Sequence, residues 1–154
     1  MKVKKLVIMR GLPGSGKSTY VRTNFSDAVI CSADNFFMCD GQFVYEASRV
    51  GEAHEQCKLR ALEALSSNEA LVIIDNTNSR YWEYEFYLAL ARVFGYDSVV
   101  IDLFDGGLTD EELVARNIHG VPLVHIQRMR ERWEQHKATQ RLFGFSKFKF
   151  GGLK

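Results

Sequence analysis

The feature that most limits what this chain can become is Gly11-Leu12-Pro13-Gly14-Ser15-Gly16-Lys17-Ser18-Thr19, which satisfies G-x-x-x-x-G-K-[ST]. It follows a short apolar run at 5–9 that ends at Arg10 and the glycines, and it opens residues of helical character from Gly16 to about Thr23. Strand, glycine turn and helix form the setting in which this pattern binds phosphate. The residue types follow from that task. Glycines let main-chain N–H groups wrap the phosphates, and side chains at Gly14 and Gly16 would obstruct the approach. Lys17 can bridge β- and γ-phosphates, Ser18 can place its hydroxyl on Mg²⁺, and the helix start directs its positive end at the anion. Thr19 is expected to pack inward.

The rest of the chain repeats the alternation. Apolar runs at 28–31, 71–74 and 98–104 are separated by helix-compatible stretches at about 45–65 and 80–94. Short apolar strands between helices predict a parallel sheet covered on both faces. The expected fold is therefore α/β, and with the phosphate loop a P-loop NTPase, with a four- or five-stranded, mainly parallel sheet. Thr109 is a plausible N-cap ahead of Asp110, Glu111 and Glu112, Gly120 breaks the chain, and Pro122 starts a helix reaching about Lys137. One domain is expected over 1–154, with a lid at about 108–125. In the basic, aromatic tail at 141–154, residues 141–150 alternate apolar with basic or small residues. It suits an edge strand or a stacking surface for single-stranded nucleic acid.

Composition excludes disorder and low-complexity repeats, since 46% of residues are hydrophobic and 25% charged. The formal charge of +1 hides a segregation: residues 1–26 carry six bases and no acid, 27–115 five against seventeen, and 116–154 nine against two. Basic ends around an acidic middle would form one positive mouth if they meet in space, and otherwise are solvated helix faces. Cys31, Cys39 and Cys57 have neither disulfide-framework nor zinc-site spacing, and the basic start lacks an apolar core long enough for a signal peptide or a membrane span. A cytoplasmic protein that does not enter a membrane is expected.

In open α/β sheets ligands lie beyond the carboxyl ends of the strands, which gives weight to Asp34 and Asp75. Asp75 ends an apolar run as a Mg²⁺-holding acid does, or as a turn acid does. Asp34 could take the proton of a hydroxyl attacking the γ-phosphate, or serve as an Asx-turn or N-cap residue. Asn76, Thr77 and Asn78 could line an acceptor site or form a turn. Arg116, just before the break at 117–120, suits either a mobile segment that neutralises a transferring phosphoryl group or a cation at a helix C-terminus. His54 fits a half-buried helix position, and among Arg128, Arg130 and Arg132 a solvated face is expected, with one arginine able to reach a phosphate.

Taken together and in order, RGLPGSGKST at 10–19, SADNFF at 32–37, AH at 53–54, IIDNTN at 73–78 and RNIHGV at 116–121 resemble the P-loop kinases related to phage-type 5′-hydroxyl polynucleotide kinase. Within that group the chain is most similar to the kinase-like domain of the Nedd-four-binding protein two family. The resemblance covers about residues 5–135. It implies a nucleotide-kinase-like form of the fold and transfer of the ATP γ-phosphate, with Mg²⁺, to a 5′-hydroxyl of RNA or DNA, with Asp34 as general base and Arg116 as a lid arginine. Two positions depart from the phage-type pattern. Phe37 stands where that pattern has an arginine for the acceptor's phosphate, and His119 and Gly120 stand where it has a second lid arginine; Phe37 agrees with the Nedd-four-binding branch. A kinase of a nucleoside or other small alcohol, and a nucleotide-dependent binding module without catalysis, are the competing readings.

Overall fold

The computed structural model describes residues 2–136, so the expectation for the tail at 141–154 lies outside the described residues. Four strands, β1 (Lys5–Gly11), β2 (Val29–Cys31), β5 (Leu71–Asp75) and β6 (Asp97–Phe104), form one sheet in the order β2-β5-β1-β6. Every pairing is parallel, with Ile8 opposite both Ile74 and Val100. A two-stranded antiparallel hairpin, β3 (Met38–Cys39) and β4 (Gln42–Phe43), stands apart from it. The helices are α1 (Lys17–Asn24), α2 (Val50–Ser66), α3 (Glu85–Phe94), α4 (Asp110–Arg116) and α5 (Leu123–Glu131). Among the described residues no helix is long and apolar enough to cross a membrane.

Period-two alternation explains the layers. On one face Leu6, Ile8, Val72, Ile74 and Val100 pack with Cys57, Ala61, Leu65, Tyr87, Leu88 and Ala91 of α2 and α3. On the other, Val7, Met9, Ile73, Ile101 and Leu103 pack with Tyr20 and Val21 of α1. A third cluster, Leu12, Leu113 and Ile126, seats α4 and α5 over the loop after β1, and a fourth joins Phe37 and Ala53 beneath the hairpin with Phe43 beside them.

Three helix boundaries differ from the expectation, each for a tertiary reason. Residues 47–49 form a 3-10 turn and the α-helix starts at Val50, because Phe43 and Tyr45 are held back by ring contacts with Phe37 at 5.9 and 5.2 Å. The stretch from Arg80 breaks at Tyr84, which is buried with its hydroxyl 2.7 Å from His136 Nδ1, so α3 starts only at Glu85. The last helix stops at Glu131, after which Glu134 N donates to Ser79 O at 2.8 Å and draws the chain onto the sheet end. Thr109 does cap α4: its Oγ1 accepts from Glu112 N at 3.2 Å while Glu112 Oε2 accepts from Thr109 N at 2.9 Å.

Candidate active site

The loop after β1 is locked between neighbouring strands before it turns. Gly11 N donates to Thr77 O at 3.2 Å and Leu12 N to Phe104 O at 2.8 Å. Leu12 is fully buried, and Pro13 follows at the turn that Ser15 N closes on Leu12 O at 3.0 Å. Gly14 and Gly16 take φ of 84° and 101°, the left-handed region that favours glycine. A Cβ on Gly14 would stand 2.4 Å from Leu113 O, so the C-terminal end of α4 occupies the space of its missing side chain. Protein packing therefore demands this glycine, a reason distinct from the clearance for phosphate expected above.

No side chain caps the start of α1, which leaves its first N–H groups available to an anion. Lys17 opens that helix and folds back, its Nζ donating to Gly11 O at 2.9 Å and Leu12 O at 3.5 Å. Burial pushes its ammonium below the ordinary lysine value, while the Asp75 and Asp34 carboxylates pull the other way. Thr19 is exposed, contrary to the inward packing expected; it lies on the solvent side of α1, and Tyr20 and Val21 face the sheet.

Ser18 Oγ lies 3.3 Å from Asp75 Oδ2, donating to it. Burial raises the Asp75 carboxyl above its ordinary value, with Lys17 opposing, and its Oδ1 is buried without a hydrogen-bond partner among the described residues. A hydroxyl beside a sheltered carboxylate with an unsatisfied oxygen is a hard-oxygen donor set that fits Mg²⁺. Ser18 and Asp75 would hold it. No group of three or more His, Cys, Asp or Glu among the described residues could hold a metal by itself, so such an ion would complete its shell with water and substrate oxygens.

Asp34 sits in the 3-10 turn Ala33–Phe37 directly after β2. Ser32 caps that turn, accepting from Asp34 N at 3.2 Å, so the Asp34 carboxylate is released from the capping role that its sequence also allowed. Its Oδ2 lies 3.3 Å from His119 Nε2, and its side chain is 54% exposed. Asn76 and Asn78 work as struts: Asn76 Oδ1 accepts from Ala33 N at 2.8 Å, tying the β2 and β5 ends together, and Asn78 Nδ2 donates to Met9 O at 2.8 Å. Arg116 is the last residue of α4, exposed, with no hydrogen bond or ion pair among the described residues. His54 is half-buried, as expected, and burial lowers its pKa. Arg130 is consumed internally, reaching Asp105 at 2.7 Å and Asp110 at 2.8 Å.

One residue beside the loop and one hairpin across the site escaped sequence reasoning. Arg10 does not end the strand; it lies within β1 at 0% exposure, with Nη1 on Asp102 Oδ2 at 3.0 Å and further bonds to the carbonyls of Asn78, Ser79 and Glu134. Its guanidinium also lies over the rings of Trp133 and Tyr84, 4.5 and 5.0 Å from their centroids. No local pattern marks a buried arginine. The hairpin, by contrast, had a signal in Asp40-Gly41, whose φ values of 49° and 78° are those a two-residue turn requires.

A family model described as an AAA domain matches residues 6–140. The chain belongs to that family. Among curated proteins, NEDD4-binding protein 2 of Homo sapiens is 40% identical over 134 residues, which is 84% of this chain and 8% of that protein. Two solved structures of the Pnkp1/Rnl/Hen1 complex, one named as an RNA repair complex, share the fold. They superpose with TM-scores of 0.65 and 0.56 at 20% and 28% identity, over 94% and 75% of this chain and 48% and 40% of theirs. A gluconokinase from Sinorhizobium meliloti 1021 superposes at a TM-score of 0.56 and 15% identity, over 99% of this chain and 93% of that one. The chain thus spans about half or less of the Pnkp1-complex chains it matches and a small part of NEDD4-binding protein 2, and within that span its architecture is that of a P-loop kinase.

Proposed function

We propose that this P-loop kinase domain transfers the γ-phosphate of ATP to a hydroxyl, and that the hydroxyl is the 5′ end of RNA or DNA. The placement of Asp34 carries the reading: a carboxylate freed from capping by Ser32, at the end of a sheet strand, on the side of the site where it and Asp75 act together on Lys17. In this reading the main-chain N–H groups of Gly14, Gly16 and Lys17 hold the β-phosphate, and Lys17 exchanges the Gly11 carbonyl for phosphate oxygens. Ser18 and Asp75 would hold Mg²⁺, which would supply positive charge to the transferring phosphoryl group. Asp34 accepts the acceptor's hydroxyl proton as that oxygen bonds to the γ-phosphorus. The bond from that phosphorus to the β–γ bridging oxygen breaks, and its electron pair leaves with ADP. Residues 108–125 act as the lid, and Arg116, exposed and unpaired among the described residues, swings to the transferring group.

The nucleic-acid acceptor draws support from the ordered motif set, from the likeness to the Pnkp1/Rnl/Hen1 complex and from the basic 116–154 segment. Three free thiols suit a reducing, cytoplasmic setting. One observation favours a small-alcohol acceptor instead: Phe37, at the position of the phosphate-binding arginine, is 6% exposed and points its ring into the hairpin cluster. Terminally labelled ATP offered with 5′-hydroxyl oligonucleotides and, separately, with nucleosides and sugars decides between them. Labelled oligonucleotide ends are expected. Asp34→Asn is expected to lower transfer by about 10²–10⁴-fold while ATP binding persists; transfer at the wild-type rate overturns the assignment of the base, and absence of any transfer by the wild-type protein favours a binding module.

A further inference from the structure

The loop 117–122 joins α4 to α5 and is folded by one side chain. Asn117 Oδ1 accepts from Val121 N at 2.8 Å, while its Nδ2 donates to Val121 O at 3.1 Å and Val114 O at 3.0 Å. Gly120 completes the turn at φ 69°. The loop so pinned projects His119 across the cleft. There the imidazole lies against the ring of Phe43, centroids 4.0 Å apart at 33°, with its Nε2 3.3 Å from Asp34 Oδ2. Phe43 is in turn braced by Phe37 and by Tyr45, which stacks at 6.3 Å and 18°. Among the described residues no other hydrogen bond or ion pair reaches the Asp34 carboxylate.

We propose that His119 is the positioning residue of the general base: seated on Phe43, it donates Nε2–H to Asp34 Oδ2 when the 117–122 loop closes, which turns Oδ1 toward the acceptor hydroxyl. The inference rests on the reading of Asp34 given under Proposed function. Its Nδ1 is buried without a partner, and a buried lone pair is tolerated where a buried unpaired N–H is not, so the ring proton belongs on Nε2. The present 3.3 Å separation is slightly long for an N–H···O bond, as catalytic contacts often are before substrate binds. The Asp34 side chain, in the first half of its turn, is 54% exposed, and fixing one carboxylate oxygen selects the orientation of the other. The hairpin then has a purpose in the site: it presents the aromatic seat that lets a residue from the far segment reach the base. This also accounts for the departure from the phage-type lid, since the position after Ile118 carries an imidazole aimed at the base rather than a second arginine aimed at phosphate.

Two measurements test it. With 5′-hydroxyl oligonucleotide and ATP, His119→Ala is expected to lower kcat about tenfold or more, with the KM for ATP and the ADP affinity unchanged. His119→Gln, which keeps a side-chain N–H donor, recovers part of that loss, and Phe43→Leu gives a smaller loss in the same direction. His119→Ala at wild-type kcat while Asp34→Asn is inactive overturns the inference and leaves the base intact. A loss that His119→Gln does not recover, or one accompanied by weakened ADP binding, overturns it as well. The second measurement needs no turnover. Amide hydrogen exchange in 117–122 is expected to quicken equally in Asp34→Ala, His119→Ala and the double variant, and exchange indifferent to Asp34→Ala overturns the contact itself.

Discussion

Replacing Arg10 with methionine tests the claim that the phosphate loop is held from below by a buried cation. In the wild-type chain Arg10 is wholly inaccessible, pairs with Asp102 at 3.0 Å, and donates to two buried carbonyls, those of Asn78 at 2.7 Å and Ser79 at 3.0 Å. Methionine keeps the volume of the stem and removes every donor. Deleting one partner of a buried ion pair costs about 3–5 kcal/mol. Each buried carbonyl that loses a charged donor adds on the order of 1 kcal/mol. The lower end of the combined range, about 5 kcal/mol, is a large share of the roughly 5–15 kcal/mol that holds a domain together. For a chain of this length about 3 °C of Tm accompanies each kcal/mol, so a fall of about 15 °C is expected. Urea titration of Arg10→Met against wild type reads the free energy directly. Arg130→Met is the control, because its ion pairs with Asp105 and Asp110 are part-exposed at 30% for the arginine side chain and should contribute only about 1–2 kcal/mol. A loss below about 1.5 kcal/mol for Arg10→Met, or one no larger than for Arg130→Met, would refute the assignment of a structural keystone.

Gly14→Ala puts a methyl 2.4 Å from Leu113 O at a φ of 84°, so differential scanning should show a loss of roughly 1–3 kcal/mol together with weaker ADP binding. Lys17→Met removes a cation that burial disfavours; the nucleotide-free protein is expected to melt no lower than wild type, while the rise in Tm on adding ADP disappears. Burial, reinforced by repulsion from Arg10, holds the His136 imidazole below the ordinary histidine value. Above about pH 6.5 both folded and unfolded states are neutral there, and as pH falls from that value to the lowered folded one the unfolded state alone takes the proton, so stability drops across that window and levels off beneath it. His54 acts with the same sign. Urea midpoints measured from pH 7.5 to 5 should fall for wild type and fall less for His54→Gln/His136→Gln; equal slopes would show that neither imidazole is protonated only on unfolding.

What the sequence disclosed was local. The glycine loop, the four parallel strands and the Thr109 cap are each determined by residues within a few positions of one another, and periodicity or spacing reads them. The helix ends failed where a distant partner decided them, as when Tyr84 leaves the helical path for His136, 52 residues away. Asp34 was legible as a strand-end carboxylate but not as a free one, because its release depends on Ser32 taking the cap two residues earlier, and either residue type can cap. The requirement for glycine at position 14 was legible and its cause was not, since Leu113 lies 99 positions away by numbering.

The charge segregation changes meaning once the fold is known. Among the described residues the two basic segments do meet: α4 and α5 pack over the loop that follows β1, and Leu12 shares a cluster with Leu113 and Ile126. Yet two of the arginines brought there are turned to internal use, Arg10 on Asp102 and Arg130 on Asp105 and Asp110, whose acids come from the negative middle of the chain. Part of the segregation therefore serves to join the first and last segments of the described chain to the sheet between them. Pairs of this kind contribute little field at the mouth, because each cation has a carboxylate within about 3 Å. On the function proposed above, two cations among the described residues face substrate: Lys17, whose charge burial disfavours until phosphate replaces the carbonyls it now touches, and Arg116, which solvent screens until the segment carrying it closes. On that proposal both cations gain strength only when nucleotide and acceptor have displaced water from the cleft, which is where a phosphoryl-transfer site needs its positive charge and when it needs it.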